Sequence, residues 1–269
     1  MAAIRNQRAA GSAETRKSAP PAPPRPDDDE RLSPHHGRTR EHGVNRVLYW
    51  IVRAFLQPAI HLYFRLGRTG RSHIPDGPVI LAANHRSFLD PFIVATCMFR
   101  PVYFVAKKEL FDRRWQGWLL NRLGAFPVKR GESDEDTMQT ALALLARGEA
   151  VVIFPEGTRH REGPVRSPRR GVGRLALESG APVVPVAITG TENVRRGWRI
   201  RPAKVSIRCG RPLRFPHVDG PSPELAGEVT RRIWPCVELQ WAWLGGPLPV
   251  RPRGEDAVEP DPDTEPAAA

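Results

Sequence analysis

"PVILAANHRSFLDPF" (residues 78–92) passes from an apolar run straight into a histidine and an aspartate five positions apart. Residues 78–83 form a short, unbroken apolar stretch, the pattern of a strand buried on both faces. On a regular helix a separation of five is about 500° of rotation, which would leave His85 and Asp90 roughly 140° apart. They cooperate only if the backbone between them turns. A loop leaving the strand could swing Asp90 onto one imidazole nitrogen and leave the other for a substrate proton, as a general base requires. Asp90 followed by Pro91 is also a favourable helix start, with Asp as N-cap and Pro in the first turn. The two readings are compatible, and both stand at this point.

Outward from this stretch, strand-like and helical segments alternate. "PFIVATCMF" (91–99) reads as a helix, "PVYFVA" (101–106) as a strand and "ELFDRRWQGWLLNRLG" (109–124) as helical. A short strand follows through "AFPVK". Ser133 and Asp136 resemble a capping box that opens a helix through "DTMQTALALLARGE". "AVVIFPEG", "APVVPVAI" and "KVSIRCG" are strand-like, with "GVGRLALESG" a helix between the first two. Such alternation predicts an α/β domain.

The chain ends differ from this pattern. Residues 1–43 are rich in Ala, Pro, Arg and Asp without apolar periodicity, and residues 246–269 are acidic and Pro-rich. Both are expected to be disordered tails, because they bury too little apolar surface to offset the entropy of ordering. The formal net charge of the chain is +12; removing tails of net +2 and −4 leaves +14 on residues 44–245. A domain that basic favours anionic partners, such as a membrane surface or phosphorylated substrates. No nucleic-acid reading motif is present, and the aromatics cluster in apolar segments, so nucleic acid is not expected as a partner. Cys97, Cys209 and Cys236 are widely spaced, which suggests neither a disulfide framework nor a zinc site. No signal-peptide core opens the chain, and a reducing, cytosolic setting fits.

Residues 44–66, "VNRVLYWIVRAFLQPAIHLYFRL", are the most membrane-like. Arg46, Arg53, Gln57, His61 and Arg65 fall on one helical face and the apolar residues surround it. The charges rule out a simple span, and Pro58 should kink or split the helix. An interfacial helix or helix pair is one reading; a core-packed amphipathic helix is the other.

Two further blocks bring arginines beside tight turns: "GAFPVKR" (124–130) and "FPEGTR" (154–159). A guanidinium fork suits phosphate oxygens, although either Arg130 or Arg159 taken singly reads rather as a solvated surface charge. Glu156 could anchor these arginines or orient its loop. No G-x-S-x-G elbow is present, so a serine-hydrolase mechanism lacks support.

The order "NHRSFLD", "GAFPVKR", "FPEGTR" and "VVPVAI" closely resembles the four signature blocks of the 1-acylglycerol-3-phosphate acyltransferase family, over about residues 67–210. The resemblance implies a glycerol-3-phosphate acyltransferase-like domain over 67–245, a mixed β-sheet flanked by helices. It implies transfer of a fatty acyl chain from acyl-CoA or acyl-carrier protein to the free hydroxyl of a lysophospholipid, at the cytoplasmic face of the cell membrane, with neither cofactor nor metal. His85 and Asp90 would form the family's His-x4-Asp motif, as general base and orienting partner. Arg130 would contact the acceptor phosphate, while Glu156, Gly157 and Arg159 shape that site. Pro185, in "VVPVAI", would shape a turn on the acyl side. One departure stands out: where the family usually carries an aromatic-Lys-x-Gly segment this chain reads "SPRRG", with Pro168 and Arg169 at the aromatic and lysine positions.

Overall fold

The computed structural model describes residues 27–129, 135–196 and 199–247. Seven strands make one mixed sheet: β1 (Gly67–Thr69), β2 (Val79–Ala83), β3 (Val102–Lys107), β4 (Ala125–Val128), β5 (Ala150–Ile153), β6 (Val183–Thr189) and β9 (Ser206–Cys209). Their order is β1-β9-β6-β2-β5-β3-β4. The run from β6 to β4 is parallel, whereas β9 pairs antiparallel with β6 and carries β1 alongside it. A separate hairpin joins β7 (Arg195–Arg196) to β8 (Arg199–Ile200). The helices are α1 (Asp27–His42), α2 (Arg46–Phe64), α3 (Asp90–Ala95), α4 (Arg114–Arg122), α5 (Glu135–Ala146), α6 (Gly171–Ser179) and α7 (Pro223–Trp243).

β2 is the central strand, and all five of its residues are buried. Its alternation divides the core: Val79, Leu81 and Ala83 pack with residues of α2 and α3, while Ile80 and Ala82 pack with α5, α6 and α7. β2 and β5 are neighbours, yet β2 leads into α3 on the first face and β5 into α6 on the second. The two loops diverge, and a crevice opens at the carboxyl ends of the strands, where open parallel sheets hold their ligands. On the second face α6 and α7 approach closely at Gly173, where a Cβ would lie 2.0 Å from the Ala226 carbonyl oxygen. The Gly173 N–H donates to Thr230 Oγ1 at 3.1 Å.

Four sequence expectations change. Of the tail expected over residues 1–43, residues 27–42 form α1, which packs against α4, β4 and α5 beside the β4 edge of the sheet, and residues 1–26 lie outside the described residues. Its buried face is largely polar: His36 bonds Thr140 Oγ1 at 2.9 Å, and Thr39 Oγ1 accepts from Asn121 Nδ2 at 2.8 Å. An apolar periodicity could not reveal that face. Pro58 does not split α2, which runs as one helix from Arg46 to Phe64; Pro58 and Ala54, whose carbonyl loses its N–H partner, are both exposed residues. Residues 109–124 break into a 3-10 turn (Lys108–Phe111) and α4. Pro185 lies inside β6 opposite Ala82, not in a turn. The capping residue Ser133 and most of the expected acidic tail lie outside the described residues.

α2 is also long and apolar enough, by length and composition, to cross a membrane, so its charges do not exclude a span. Only Tyr49, Ile60 and Phe64 of it are buried. Arg53 turns inward, donating to the carbonyl oxygens of Ala95 and Met98 at the end of α3. Val47, Ile51, Phe55 and Leu62 stay exposed.

Candidate active site

The backbone turns between His85 and Asp90. Residues 84–87 leave β2 without regular structure, and Asp90 is the first residue of α3, with Leu89 rather than Asp90 in the capping position. The Asp90 carboxylate looks back over the loop. Its Oδ2 accepts from His85 Nδ1 at 2.8 Å, from the Arg86 N–H at 2.6 Å and from the Ser87 N–H at 2.7 Å. Its Oδ1 accepts from Thr191 Oγ1 at 2.7 Å. A carboxylate can only accept, so Nδ1 carries the imidazole proton and Nε2 is left with a lone pair. Asp90 is fully buried and His85 almost so.

A link to β6 and three residues of the loop between β5 and α6 also hold the histidine. Asn84 ties the end of β2 to β6, donating to the Ile188 carbonyl at 3.0 Å and accepting from its N–H at 2.8 Å. The Phe154 ring stacks on the imidazole with centroids 4.1 Å apart. Glu156 Oε1 accepts from the His85 N–H at 2.8 Å, and the His160 N–H donates to the His85 carbonyl at 3.0 Å. Glu156 therefore orients its loop, and among the described residues it makes no ion pair with Arg159. Burial pushes its carboxyl above the usual range, against the hydrogen bonds from the His85 and Arg166 N–H groups and the charge of Arg86. Burial also lowers the His160 imidazole, with the Arg166 and Arg86 charges acting the same way.

A cavity of about 230 Å³ opens beside His85 and Phe154, with Lys129 and Arg169 at its wall and Val172 and Leu175 among its apolar lining. It offers a base, positive charge and apolar surface together. Among the described residues no three His, Cys, Asp or Glu side chains gather as a metal site.

Residues 65–189 match the Acyltransferase family. The 1-acyl-sn-glycerol-3-phosphate acyltransferase of Bacillus subtilis is 31% identical over 163 residues, covering 59% of this chain and 78% of that protein. The chain belongs to the 1-acyl-sn-glycerol-3-phosphate acyltransferase family. The Pseudomonas aeruginosa member is 30% identical over 167 residues, 61% of this chain and 63% of that one. The chloroplastic LPAT1 of Arabidopsis thaliana is 29% identical over 150 residues, 54% of this chain; the match spans only 42% of the plant protein's length. The fold follows the crystal structure of the 1-acyl-sn-glycerophosphate acyltransferase PlsC from Thermotoga maritima, with a TM-score of 0.56, 26% identity, and coverage of 76% of this chain and 81% of that one.

Within this family member the expected site residues do not all converge. His85 and Gly157 line the cavity, and Asp90 and Glu156 both hydrogen-bond to His85. Gly157 has φ +71°, a left-handed conformation that favours glycine; a Cβ there would sit 2.7 Å from Arg169 Nε and displace that flexible side chain. Arg159 is exposed and does not line the cavity, and Arg130 lies outside the described residues. Thr191 and Lys129 were not singled out from the sequence. Thr191 is 101 positions from the carboxylate it touches and gives no local signal. Lys129 sits within "GAFPVKR", beside the arginine that drew attention.

Proposed function

We propose that the chain transfers a fatty acyl group from acyl-CoA or acyl-carrier protein to the free hydroxyl of 1-acylglycerol-3-phosphate, giving phosphatidic acid. The observation that carries this reading is the His85–Asp90 hydrogen bond of 2.8 Å at the mouth of a cavity that is apolar within and cationic at its wall. Asp90 fixes the tautomer in which Nε2 accepts. Nε2 takes the acceptor's hydroxyl proton as the oxygen attacks the thioester carbonyl carbon. The new C–O bond forms, the C–S bond breaks, and the imidazolium returns its proton to the departing thiolate. Asp90 stabilises the imidazolium in between.

Glu156 and Gly157 shape the acceptor side of the site, and Arg130 and Arg159 engage the phosphate. Lys129 and Arg169 support this assignment by adding positive charge beside the cavity. The exposed apolar side chains of α2 enter the acyl boundary of an anionic membrane at its cytoplasmic face, while Arg53 keeps the inner face on α3. Both long-chain substrates then reach His85 without crossing water.

The test is a panel of lysolipid acceptors, with and without phosphate, assayed with purified protein and one labelled acyl-CoA, then with acyl-carrier protein as donor. Preferential formation of labelled phosphatidic acid is expected. Transfer to a phosphate-free acceptor at an equal rate would redirect the reading to another lysolipid. Flotation with anionic vesicles should weaken when residues 1–66 are removed.

A further inference from the structure

Arg86 follows the candidate base in sequence, and its side chain is 1% exposed. A buried guanidinium needs acceptors, and burial here lowers its proton affinity against the charges of Glu156, Glu192 and Asp90. Nη1 donates to the His160 carbonyl at 2.9 Å and Nη2 to the Gly163 carbonyl at 2.6 Å. Both carbonyls belong to the loop between β5 and α6, the loop that already holds the His85 main chain through Glu156 and the His160 N–H. Nε finds no acceptor among the described residues. The guanidinium carbon instead lies 4.3 Å from the centroid of the Trp241 ring. That ring comes from α7, beyond the residues 65–189 that match the family. Trp241 is fixed in turn: it is buried in the second-face core, and its Nε1 donates to the Pro247 carbonyl at 3.0 Å.

We propose that Arg86 is a positioning residue, clasped between the His160 and Gly163 carbonyls and the Trp241 ring, through which α7 holds the β5–α6 loop against His85. Arginine suits the place because one planar fork reaches two carbonyls while its face rests on an indole. A lysine would supply a point charge without spanning both. The clasp keeps the Glu156 carboxylate on the His85 N–H, so its loss should reach the chemistry through the pose of the imidazole and not through binding of the acceptor.

The rate part of this proposal rests on the acyl-transfer reading above; the structural part does not. Hydrogen exchange of the β5–α6 loop is therefore measured beside steady-state kinetics in Arg86→Met, Arg86→Lys, Trp241→Leu and Trp241→Phe. In Arg86→Met the loop amides, the His160 N–H among them, should exchange faster while β2, β5 and β6 keep their protection. Its kcat should fall about 10- to 100-fold, with acceptor KM changed by less than about threefold. Arg86→Lys should restore only part of the rate. Trp241→Leu should lose about 3- to 10-fold in kcat and Trp241→Phe should restore most of it, because a phenyl face keeps the cation contact. The double variant Arg86→Met/Trp241→Leu should be no slower than Arg86→Met alone. Unchanged loop exchange in Arg86→Met overturns the clasp, whatever the rate does. Faster loop exchange with normal kcat overturns the positioning role, and so do rate losses that multiply in the double variant. Should Arg86→Met fail to fold, the Trp241→Leu and Trp241→Phe pair decides by the same two measurements. A chain that moves no acyl group to any acceptor would sink the function reading, while exchange would still decide the clasp.

Discussion

The loops that leave β2 and β5 meet at His85 but hold it differently. The β2 loop grips the ring, placing Asp90 Oδ2 on Nδ1. The β5 loop hydrogen-bonds only the main chain, with Glu156 on the N–H and the His160 N–H on the carbonyl, and meets the ring only through the stacked face of Phe154. Their carboxylates differ in the same sense. Asp90 accepts four hydrogen bonds, while Glu156 accepts two main-chain N–H groups, one of them at 3.4 Å, and burial raises its carboxyl. One loop sets the proton and the other sets the frame from which the ring hangs.

Substitutions that keep shape and change chemistry should separate the two. Asp90→Asn should lower kcat by about 10²–10⁴, since an amide cannot accept from the ring and from both N–H groups as the carboxylate does. Glu156→Gln should lose about tenfold or less, because its remaining oxygen still accepts from the His85 N–H. Equal losses in the two variants would erase the distinction between ring and frame.

The next effect is smaller and sharpens the β2 side. Thr191→Val removes one donor from a buried carboxylate and keeps the volume. Stability should fall by about 1–3 kcal/mol, read as a lower denaturation midpoint, with a loss in kcat and little change in KM. A variant as stable and as active as the parent would show that Oδ1 needs no partner. Arg159→Ala should be milder still. Arg159 is exposed, so kcat/KM for the phosphorylated acceptor should drop by no more than about tenfold, and less for a phosphate-free one. Equal losses on both acceptors would assign Arg159 a structural role.

The smallest effect is a pH slope on the β5 side. The folded chain holds the Glu156 proton more tightly than the unfolded chain does. The stability linked to it is therefore complete below the ordinary carboxylate value of 4.5 and is lost as pH rises through the raised one. Glu156→Gln should remove that decline, so the difference in melting temperature should shift toward the variant as pH climbs above 4.5. A difference that does not change with pH would mean that the carboxyl is not held above its usual range.

The β2 side was legible because it is local. "PVILAA" is apolar without interruption, and His85 and Asp90 lie within one short loop. β5 and β6 could be read for the same reason, as continuous apolar runs between helices. What escaped was built across distance or from polar groups. Glu156 meets His85 from 71 residues away, and Thr191 meets Asp90 from 101. α1 hides His36 and Thr39 in hydrogen bonds that no apolar pattern announces. The resemblance implied that Pro185 shapes a turn, whereas it lies within β6, the strand its own apolar run predicts. Arg86 gives no local signal either, because its carbonyl acceptors lie 74 and 77 positions away and the ring it faces is on α7.

The central claim is that His85 takes the acceptor's hydroxyl proton. Wild-type protein and His85→Ala, matched by thermal melting, are given labelled acyl-CoA and 1-acylglycerol-3-phosphate, and labelled phosphatidic acid is followed by mass spectrometry. Steady product is expected from the wild type, with a rate at least about 10² lower in the folded variant. Product at a similar rate from a folded His85→Ala protein would contradict it.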